Sequence, residues 1–206
     1  VPVHTYPHST GYDGQFYAQV AVAGNPFHPE LRRALDVPAY RTRRVLIPEL
    51  AYLAGLGRPA WVLGGYALSN LACWLVLAWL LARWWFPPTS VHDLLRWVGV
   101  MFGAGMVVST ARSLTDGPAL LVIAAGVRAL ELGRHWLAAG ILGAAGLVRE
   151  TSIVVASAFV PPAGPGPRAW RRGLLAALLC AVPAVAWSAV LLAHYGSVFK
   201  GALDVP

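Results

Sequence analysis

A polar stretch near the start of the chain contains the first residue suited to acid–base chemistry. Residues 11–17 read Gly-Tyr-Asp-Gly-Gln-Phe-Tyr, and Asp13 is the only acidic residue among the first 29 positions. A carboxylate can accept a proton from a hydroxyl nucleophile within hydrogen-bond reach. Tyr12, Gln15 and Tyr17 are expected to line the same site. A simpler explanation also fits, because an acid at the beginning of a helix can cap unpaired backbone N–H groups.

Arginine is concentrated shortly after this stretch. Residues 28–44 hold five arginines: Arg32, Arg33, Arg41, Arg43 and Arg44. Guanidinium groups bind phosphate through paired, planar hydrogen bonds, so Arg41, Arg43 and Arg44 are predicted to form a phosphate clamp. Attraction to anionic lipid headgroups explains any single one of them equally well.

Charged residues also interrupt sequence that is otherwise apolar. Asp116 lies in a tight polar loop at 112–117, and Arg149 and Glu150 stand in the middle of the apolar run 136–160. A charge at the centre of a bilayer costs on the order of 3 kcal/mol. We therefore predict two half-helices, about 136–148 and 152–160, with these two charges at the tip of a hairpin. A straight span with a buried arginine–acid pair is the alternative.

The composition indicates an integral membrane protein. Of the 206 residues, 57% are hydrophobic and only 12% are charged, whereas soluble domains carry about 25% charged residues. Polar surface is therefore too scarce to cover a globule in water. The net charge of +7 predicts basic loops and contacts with membrane lipids. No basic stripe with interleaved aromatics suggests a nucleic-acid partner.

The apolar runs predict an all-α fold. Four membrane-crossing helices are expected, at 61–82, 94–111, 119–132 and 174–193, the last bent at Pro183. A helix at 13–23 places Phe16, Tyr17, Val20 and Ala21 on one face, which predicts an amphipathic helix in the membrane interface. The fold class is thus a multi-pass transmembrane bundle with an interfacial helix in its first external loop and a re-entrant hairpin. Residues 1–58 form the external loop and residues 59–206 form the bundle.

Counting membrane crossings places most polar residues on one face. If 61–82 runs inward, the loops at 83–96, 128–135 and 161–172 share the cytoplasmic side. The opposite face then carries a set of acids and cations: Asp13, Arg41, Arg43, Arg44, Asp116, Arg149, Glu150 and His194. Such a set suits a reaction on a phosphorylated substrate, because an acid deprotonates the nucleophile and cations stabilise the departing phosphate.

These motifs resemble a known family. Residues 11–17 are similar to the first-loop motif of the C-type (GT-C) glycosyltransferases, which include the mannosyltransferases, and residues 113–151 resemble their central helices. The resemblance implies an inverting transfer from a polyprenyl-phosphate sugar to an acceptor hydroxyl, at the outer side of the plasma (inner) membrane of a cell envelope. Asp13 aligns with the catalytic base, and Asp116 is the second acid. Many members carry another acid directly after the first, where this chain has Gly14, so participation of a divalent metal stays open.

Two other interpretations of the sequence stay open. A lipid or solute transporter subunit would also contain broken helices and buried charges, although no internal repeat is visible. The second interpretation is a structural relative of the glycosyltransferases that has no activity. The family's amino-terminal helix does not precede the acidic loop, and the chain starts at Val1. We therefore expect a fragment of a longer protein.

Overall fold

The computed structural model describes residues 12–161 and 166–196. Throughout this part of the chain the regular structure is helical, and no strand occurs in it. The helices are α1 (Asp13–Ala23), α2 (Leu31–Ala34), α3 (Pro38–Arg41), α4 (Leu46–Ala54), α5 (Pro59–Leu80), α6 (Val91–Met101), α7 (Ala104–Ala111), α8 (Asp116–Glu131), α9 (His135–Val148), a 3₁₀ segment (Glu150–Phe159) and α10 (Pro167–Tyr195). The expected irregular segment 1–11 and the chain after residue 196 lie outside the described residues.

Two of the described helices are long and apolar enough to cross a membrane. They are Pro59–Trp85, in which a π-helical turn prolongs α5, and α10. α6 and α7 form a third candidate if the pair is one bent span. The predicted span at 119–132 is not a candidate, because α8 has only 16 residues and a bilayer needs about 20. The all-α prediction holds for the described residues, and two or three helices fit a membrane protein.

The predicted span at 94–111 is bent instead of straight. α6 and α7 meet at an angle of 44°, and Phe102 and Gly103 separate them. A helix end leaves backbone carbonyls without intrahelical partners. Trp74 on α5 donates its indole N–H to the Met101 carbonyl at 3.1 Å. This bond stabilises the break and ties it to α5.

The apolar run 136–160 is broken where the sequence predicts it. α9 ends at Val148, and Arg149 has an extended backbone, with φ −149° and ψ 121°. The chain then reverses, and the reversal brings Phe159 into one apolar cluster with Ala138 and Ala139 near the beginning of α9. The second half is a 3₁₀ helix over Glu150–Phe159, whereas the prediction gave a helix of unspecified type over 152–160. α10 continues through Pro183 without interruption.

A buried apolar cluster connects the helices that carry the charged residues. Tyr17 of α1, Ile47 of α4, Val62 of α5, Ala119 of α8 and Val148 of α9 all belong to it. Burial of these side chains fixes the five helices relative to one another, since apolar burial is worth roughly 25 cal/mol per Å². The polar residues next to them in sequence are thereby held in fixed positions.

The antiparallel pair α8 and α9 defines two ends of the molecule. Asp116 at the beginning of α8 contacts Arg149 just after α9. At the other end, Glu131 accepts a bond of 2.9 Å from the indole of Trp85 and pairs with Arg128. We call the first the paired end and the second the basic end. They lie about 24 Å apart, from the rise of 1.5 Å per residue over the 16 residues of α8.

Candidate functional site

Asp13 is the first residue of α1, and the buried face of α1 is the predicted one. Tyr17 and Val20 are fully buried, and Phe16 and Ala21 nearly so. Tyr12, not Asp13, occupies the N-cap position, and its side chain makes no capping bond. The carboxylate of Asp13 is half exposed, at 50% of its side-chain surface. A group in this position is reachable from solvent while its backbone is rigid.

Arg41 holds the carboxylate of Asp13. The Nη1 atom of Arg41 lies 2.9 Å from Oδ2 of Asp13. The same guanidinium donates two bonds to Asp36, from Nε at 2.8 Å and from Nη2 at 2.7 Å. The guanidinium also packs on two aromatic rings, that of Phe16 with its centroid 4.5 Å away and that of Tyr40 with its centroid 5.3 Å away. A buried arginine bound to two carboxylates and packed on an aromatic ring is a positioning group, because little freedom of movement remains.

The same bonds shift the pKa of Asp36. Hydrogen bonds from Arg41 hold the pKa of the Asp36 carboxyl below its usual range, against a smaller opposing effect of burial. Burial instead raises the pKa of the Tyr17 hydroxyl, so this phenol stays protonated at neutral pH. The cluster therefore combines an ionised carboxylate, Asp36, with a neutral hydroxyl, Tyr17.

A second pair joins Arg44 to Glu150. Arg44 donates from Nε at 2.9 Å and from Nη2 at 3.0 Å to the two carboxylate oxygens. Its Nη2 also bonds the Tyr40 hydroxyl at 3.1 Å, and the guanidinium faces the Tyr17 ring at 5.4 Å. Burial acts to raise the pKa of Glu150, but the bonds from Arg44 outweigh it and the pKa falls below its usual value. Residues 106 positions apart are thus joined by a two-bond fork.

A third pair joins Arg149 to Asp116. The two side chains are in direct contact and remain about one third exposed, at 36% and 31%. The loop before Asp116 is fixed by its neighbours: Tyr66 donates its hydroxyl to the Ser113 carbonyl at 2.9 Å, and Ser109 Oγ accepts from the Gly117 N–H at 3.0 Å. This is the most accessible of the three arginine pairs.

Gly14 brings the beginning of α1 directly onto the 112–117 loop. A Cβ atom at position 14 would lie 2.0 Å from the Arg112 carbonyl oxygen, which no side chain can occupy. Beside it, the Arg112 guanidinium covers the Tyr12 ring at 3.9 Å from the centroid. Any side chain at position 14, an acidic one included, would therefore push α1 away from the loop.

Most of the predicted site residues meet at the paired end. Asp13, Tyr12, Tyr17, Arg41, Arg44, Asp116, Arg149 and Glu150 form or adjoin the three pairs. Arg43 is buried next to them, 5.8 Å from the Tyr40 ring. Arg41 and Arg44 of the predicted phosphate clamp, and also Arg149, are each bound to a carboxylate. For Arg149, an arginine–acid pair was the alternative that the sequence offered.

Two predicted residues lie elsewhere. Gln15 lines a cavity of about 570 Å³ on another side of α1, together with Gln19, His28 and Glu30. His194 Nε2 lies 3.3 Å from Arg32 Nη2 and packs on the Phe27 ring at 4.5 Å. Within residues 12–161 and 166–196, His194 has no hydrogen bond or ion pair with the three pairs.

Sequence reasoning missed two residues of the site. Asp36 shares Arg41 with Asp13, and its signal was its place just ahead of a short helix, where the helix N-terminus favours an acidic side chain. Tyr66 bonds the 112–117 loop, and its signal was a polar hydroxyl within an apolar run.

The described residues do not gather the ligands of a metal centre. Among the described residues, no group of three or more His, Cys, Asp or Glu side chains is placed to hold a metal ion. The carboxylates of Asp13, Glu150 and Asp116 at the paired end are each held by an arginine instead.

The geometry suits proton removal by Asp13 next to a cluster of arginines.

Comparison with known proteins adds no family to this description. The chain matches no protein-family model, no curated protein and no solved structure. The resemblance to the C-type glycosyltransferases therefore stays a prediction from the sequence.

Proposed function

We propose that the protein is a membrane glycosyltransferase that moves a sugar from a polyprenyl-phosphate donor to an acceptor hydroxyl. One observation carries the proposal: a half-exposed carboxylate, Asp13, is positioned by a buried arginine, and the next residue, Gly14, packs on the loop that leads to the accessible pair of Arg149 and Asp116. The residues come from distant parts of the chain, and a rigid apolar cluster supports them. Preorganised charges of this kind are the main source of stabilisation for a charged transition state.

The reaction assigns Asp13 the role of general base. The acceptor hydroxyl gives its proton to the Asp13 carboxylate while its oxygen bonds the anomeric carbon of the sugar. The bond between that carbon and the phosphate oxygen breaks, and its electron pair leaves with the polyprenyl phosphate. Attack from the face opposite the phosphate inverts the anomeric centre. Atoms and charge balance without a further reactant.

Arg149 is the residue best placed to receive the departing phosphate. Its side chain is 36% exposed, whereas those of Arg41 and Arg44 are each 9% exposed. Asp116 would hold Arg149 in place before the donor arrives and release it to the phosphate. Arg41 and Arg44 then act as positioning residues, since their carboxylate partners hold them in the interior.

A bilayer around the protein completes the proposal. The outer faces of α5 and α10 expose large apolar side chains, including Leu68, Trp79, Leu174 and Val185, and lipid would cover them. We place the protein in the plasma membrane as a multi-pass protein, with α1 in the interface and α9 with the 3₁₀ segment as a re-entrant hairpin. Its tip at Arg149 and Glu150 would then lie where the donor phosphate meets the water.

The experiment compares two acids that share one arginine. Asp13→Asn removes the base, whereas Asp36→Asn removes the other partner of Arg41 and leaves the base in place. Membranes containing each variant receive a radiolabelled polyprenyl-phosphate mannose, and transfer to endogenous acceptors is measured. We expect Asp13→Asn to lose at least 100-fold in rate, and Asp36→Asn to keep most of it. Equal rates for Asp13→Asn and the unmodified protein would exclude this base.

The same membranes separate an enzyme from a transporter subunit. If the paired end serves solute transport, flux into vesicles requires no sugar donor. In that case the arginine–carboxylate pairs would form a gate, and Asp13→Asn would change flux with no transferase signal in any sample. Immunoblotting of the variants controls for their accumulation.

A further inference from the structure

Three neighbouring cavities lie at the basic end. The first, of about 530 Å³, is lined by Arg134, His135, Trp136 and Arg172. The second, of about 370 Å³, shares His135 and Arg172 with it and continues along Phe159 and Val160. The third, of about 340 Å³, shares Val160 with the second and adds Trp170, Leu174 and Ala177. Their common lining residues make them one path, which we call the basic groove.

The polar end of the basic groove carries uncompensated positive charge. The residues lining its first two cavities include Arg134, His135 and Arg172 and no acid. Glu131, the nearest acid along the chain, is already bound to Arg128 and to the Trp85 indole. Within 12–161 and 166–196, neither Arg134 nor Arg172 has an ion-pair partner, in contrast to Arg41, Arg44 and Arg149. Cations in a cavity without acids favour a bound anion.

The other end of the basic groove is apolar and opens toward the outer face of α10. The third cavity is walled mainly by apolar residues, including Val160, Trp170 and Leu174, and Arg171 is the charged residue among those that line it. Leu174 is 61% exposed. Trp136 and Trp170 are exposed at the two ends of the path, and tryptophan is typical of the boundary between lipid chains and headgroups. A ligand that fits has an anionic head and an apolar tail.

We propose that the basic groove binds an anionic membrane phospholipid. Its phosphate would lie between Arg134 and Arg172, and an acyl chain would follow Val160 and Leu174 onto α10. The lipid would connect the beginning of α9, the end of the 3₁₀ segment and α10, which together form the open end of the hairpin. The site lies about 24 Å from the paired end, by the length of α8, and does not depend on the proposed glycosyl transfer.

Two arginines on one helix provide a matched test. Arg172 lines the basic groove, whereas Arg168, one turn earlier on α10 and also exposed, does not line its three cavities. The full chain is purified in a zwitterionic detergent, and bound dioleoylphosphatidylglycerol and dioleoylphosphatidylcholine are measured by native mass spectrometry. Each basic residue near an anionic headgroup contributes about fivefold in affinity. We expect phosphatidylglycerol to bind about 25-fold more tightly than phosphatidylcholine.

The variants then locate the site. Arg172→Gln, and separately Arg134→Gln, should each weaken phosphatidylglycerol binding about fivefold, while Arg168→Gln should change it less than twofold. Equal binding of the two lipids would overturn the proposal, and so would an equal loss for Arg168→Gln, which would indicate diffuse attraction. Displacement of phosphatidylglycerol by millimolar inorganic phosphate alone would assign the groove to free phosphate instead of a lipid. Unfolding temperatures within a few degrees of the unmodified protein show that both single variants are folded; if one is not, the other gives the same test.

Discussion

At the scale of single residues, the paired end works by neutralising buried arginines. Arg41 and Arg44 are each only 9% exposed, and an uncompensated charge in such a place is strongly unfavourable. Asp13, Asp36 and Glu150 supply the counter-charge at hydrogen-bond distance. The bonds that offset the cost of burying these arginines also fix the direction of the Asp13 carboxylate. Stability and the proposed chemistry therefore depend on the same atoms.

The pair of Arg44 and Glu150 tests this dependence. Glu150→Gln keeps the shape of the side chain and leaves Arg44 buried without a carboxylate, so we expect a loss of about 3 kcal/mol in the free energy of unfolding. The matched control is Glu131→Gln at the more exposed pair with Arg128, which should lose at most about 1 kcal/mol. Thermal or denaturant unfolding in detergent measures both. Equal losses of unfolding free energy in the two variants would show that the pair of Arg44 and Glu150 stabilises the fold no more than the exposed pair does.

The difference in stability between the unmodified protein and Glu150→Gln should depend on pH with a defined sign. The pKa of Glu150 is lower in the folded protein than its ordinary value because of the bonds from Arg44. The ionised form therefore stabilises the fold, fully so above the unfolded pKa of about 4.3. As the pH falls through the lower folded pKa, this contribution is lost. The gap in stability between the unmodified protein and Glu150→Gln should then narrow below about pH 4.

At the scale of helices, the sequence predicts well those features that depend on the local pattern of residues. The bounds of α1 and the break at Arg149 follow from apolar spacing and from the cost of charge in an apolar run. The bend between α6 and α7 depends on a bond from Trp74 to the Met101 carbonyl, which no local pattern carries. The pairing of Arg44 with Glu150 joins residues 106 positions apart and is equally invisible before the chain folds. That the polar residues meet at one end of the molecule was predictable only by assuming a topology and counting membrane crossings.

The contact between α1 and the 112–117 loop gives a prediction at this scale. Gly14→Ala places a methyl group against the Arg112 carbonyl oxygen, which should force α1 outward and cost about 1–3 kcal/mol of unfolding free energy. Gly64→Ala is the control, because a Cβ there has no neighbour within 4 Å. Since alanine favours a helix over glycine, this control should be neutral or stabilising by up to about 1 kcal/mol. Unfolding measurements that rank the two variants in the opposite order would contradict the close packing.

At the scale of the whole molecule, the two ends differ in how their charge is balanced. At the paired end Arg41, Arg44 and Arg149 are each bound to an acid, whereas Arg134 and Arg172 at the basic end have no ion-pair partner in the described part of the chain. An uneven distribution of free cations is typical of a protein with one cytoplasmic face. Under the two proposals above, the paired end carries the chemistry and the basic end attaches the protein to membrane lipid.

The hairpin makes this assignment testable by labelling from the two sides of the membrane. If α9 and the 3₁₀ segment form a re-entrant hairpin, Leu132 before it and Arg168 after it lie on the same side; a full crossing would separate them. Single cysteines replace exposed residues, as Leu132→Cys, Arg168→Cys and Glu30→Cys, in a background where Cys73 and Cys180 are alanine. A membrane-impermeant maleimide applied to intact cells should label Glu30→Cys alone, and the other two only after the cells are opened. Labelling of Leu132→Cys and Arg168→Cys from opposite sides would replace the hairpin by a span and move one of the two arginines of the basic groove across the bilayer.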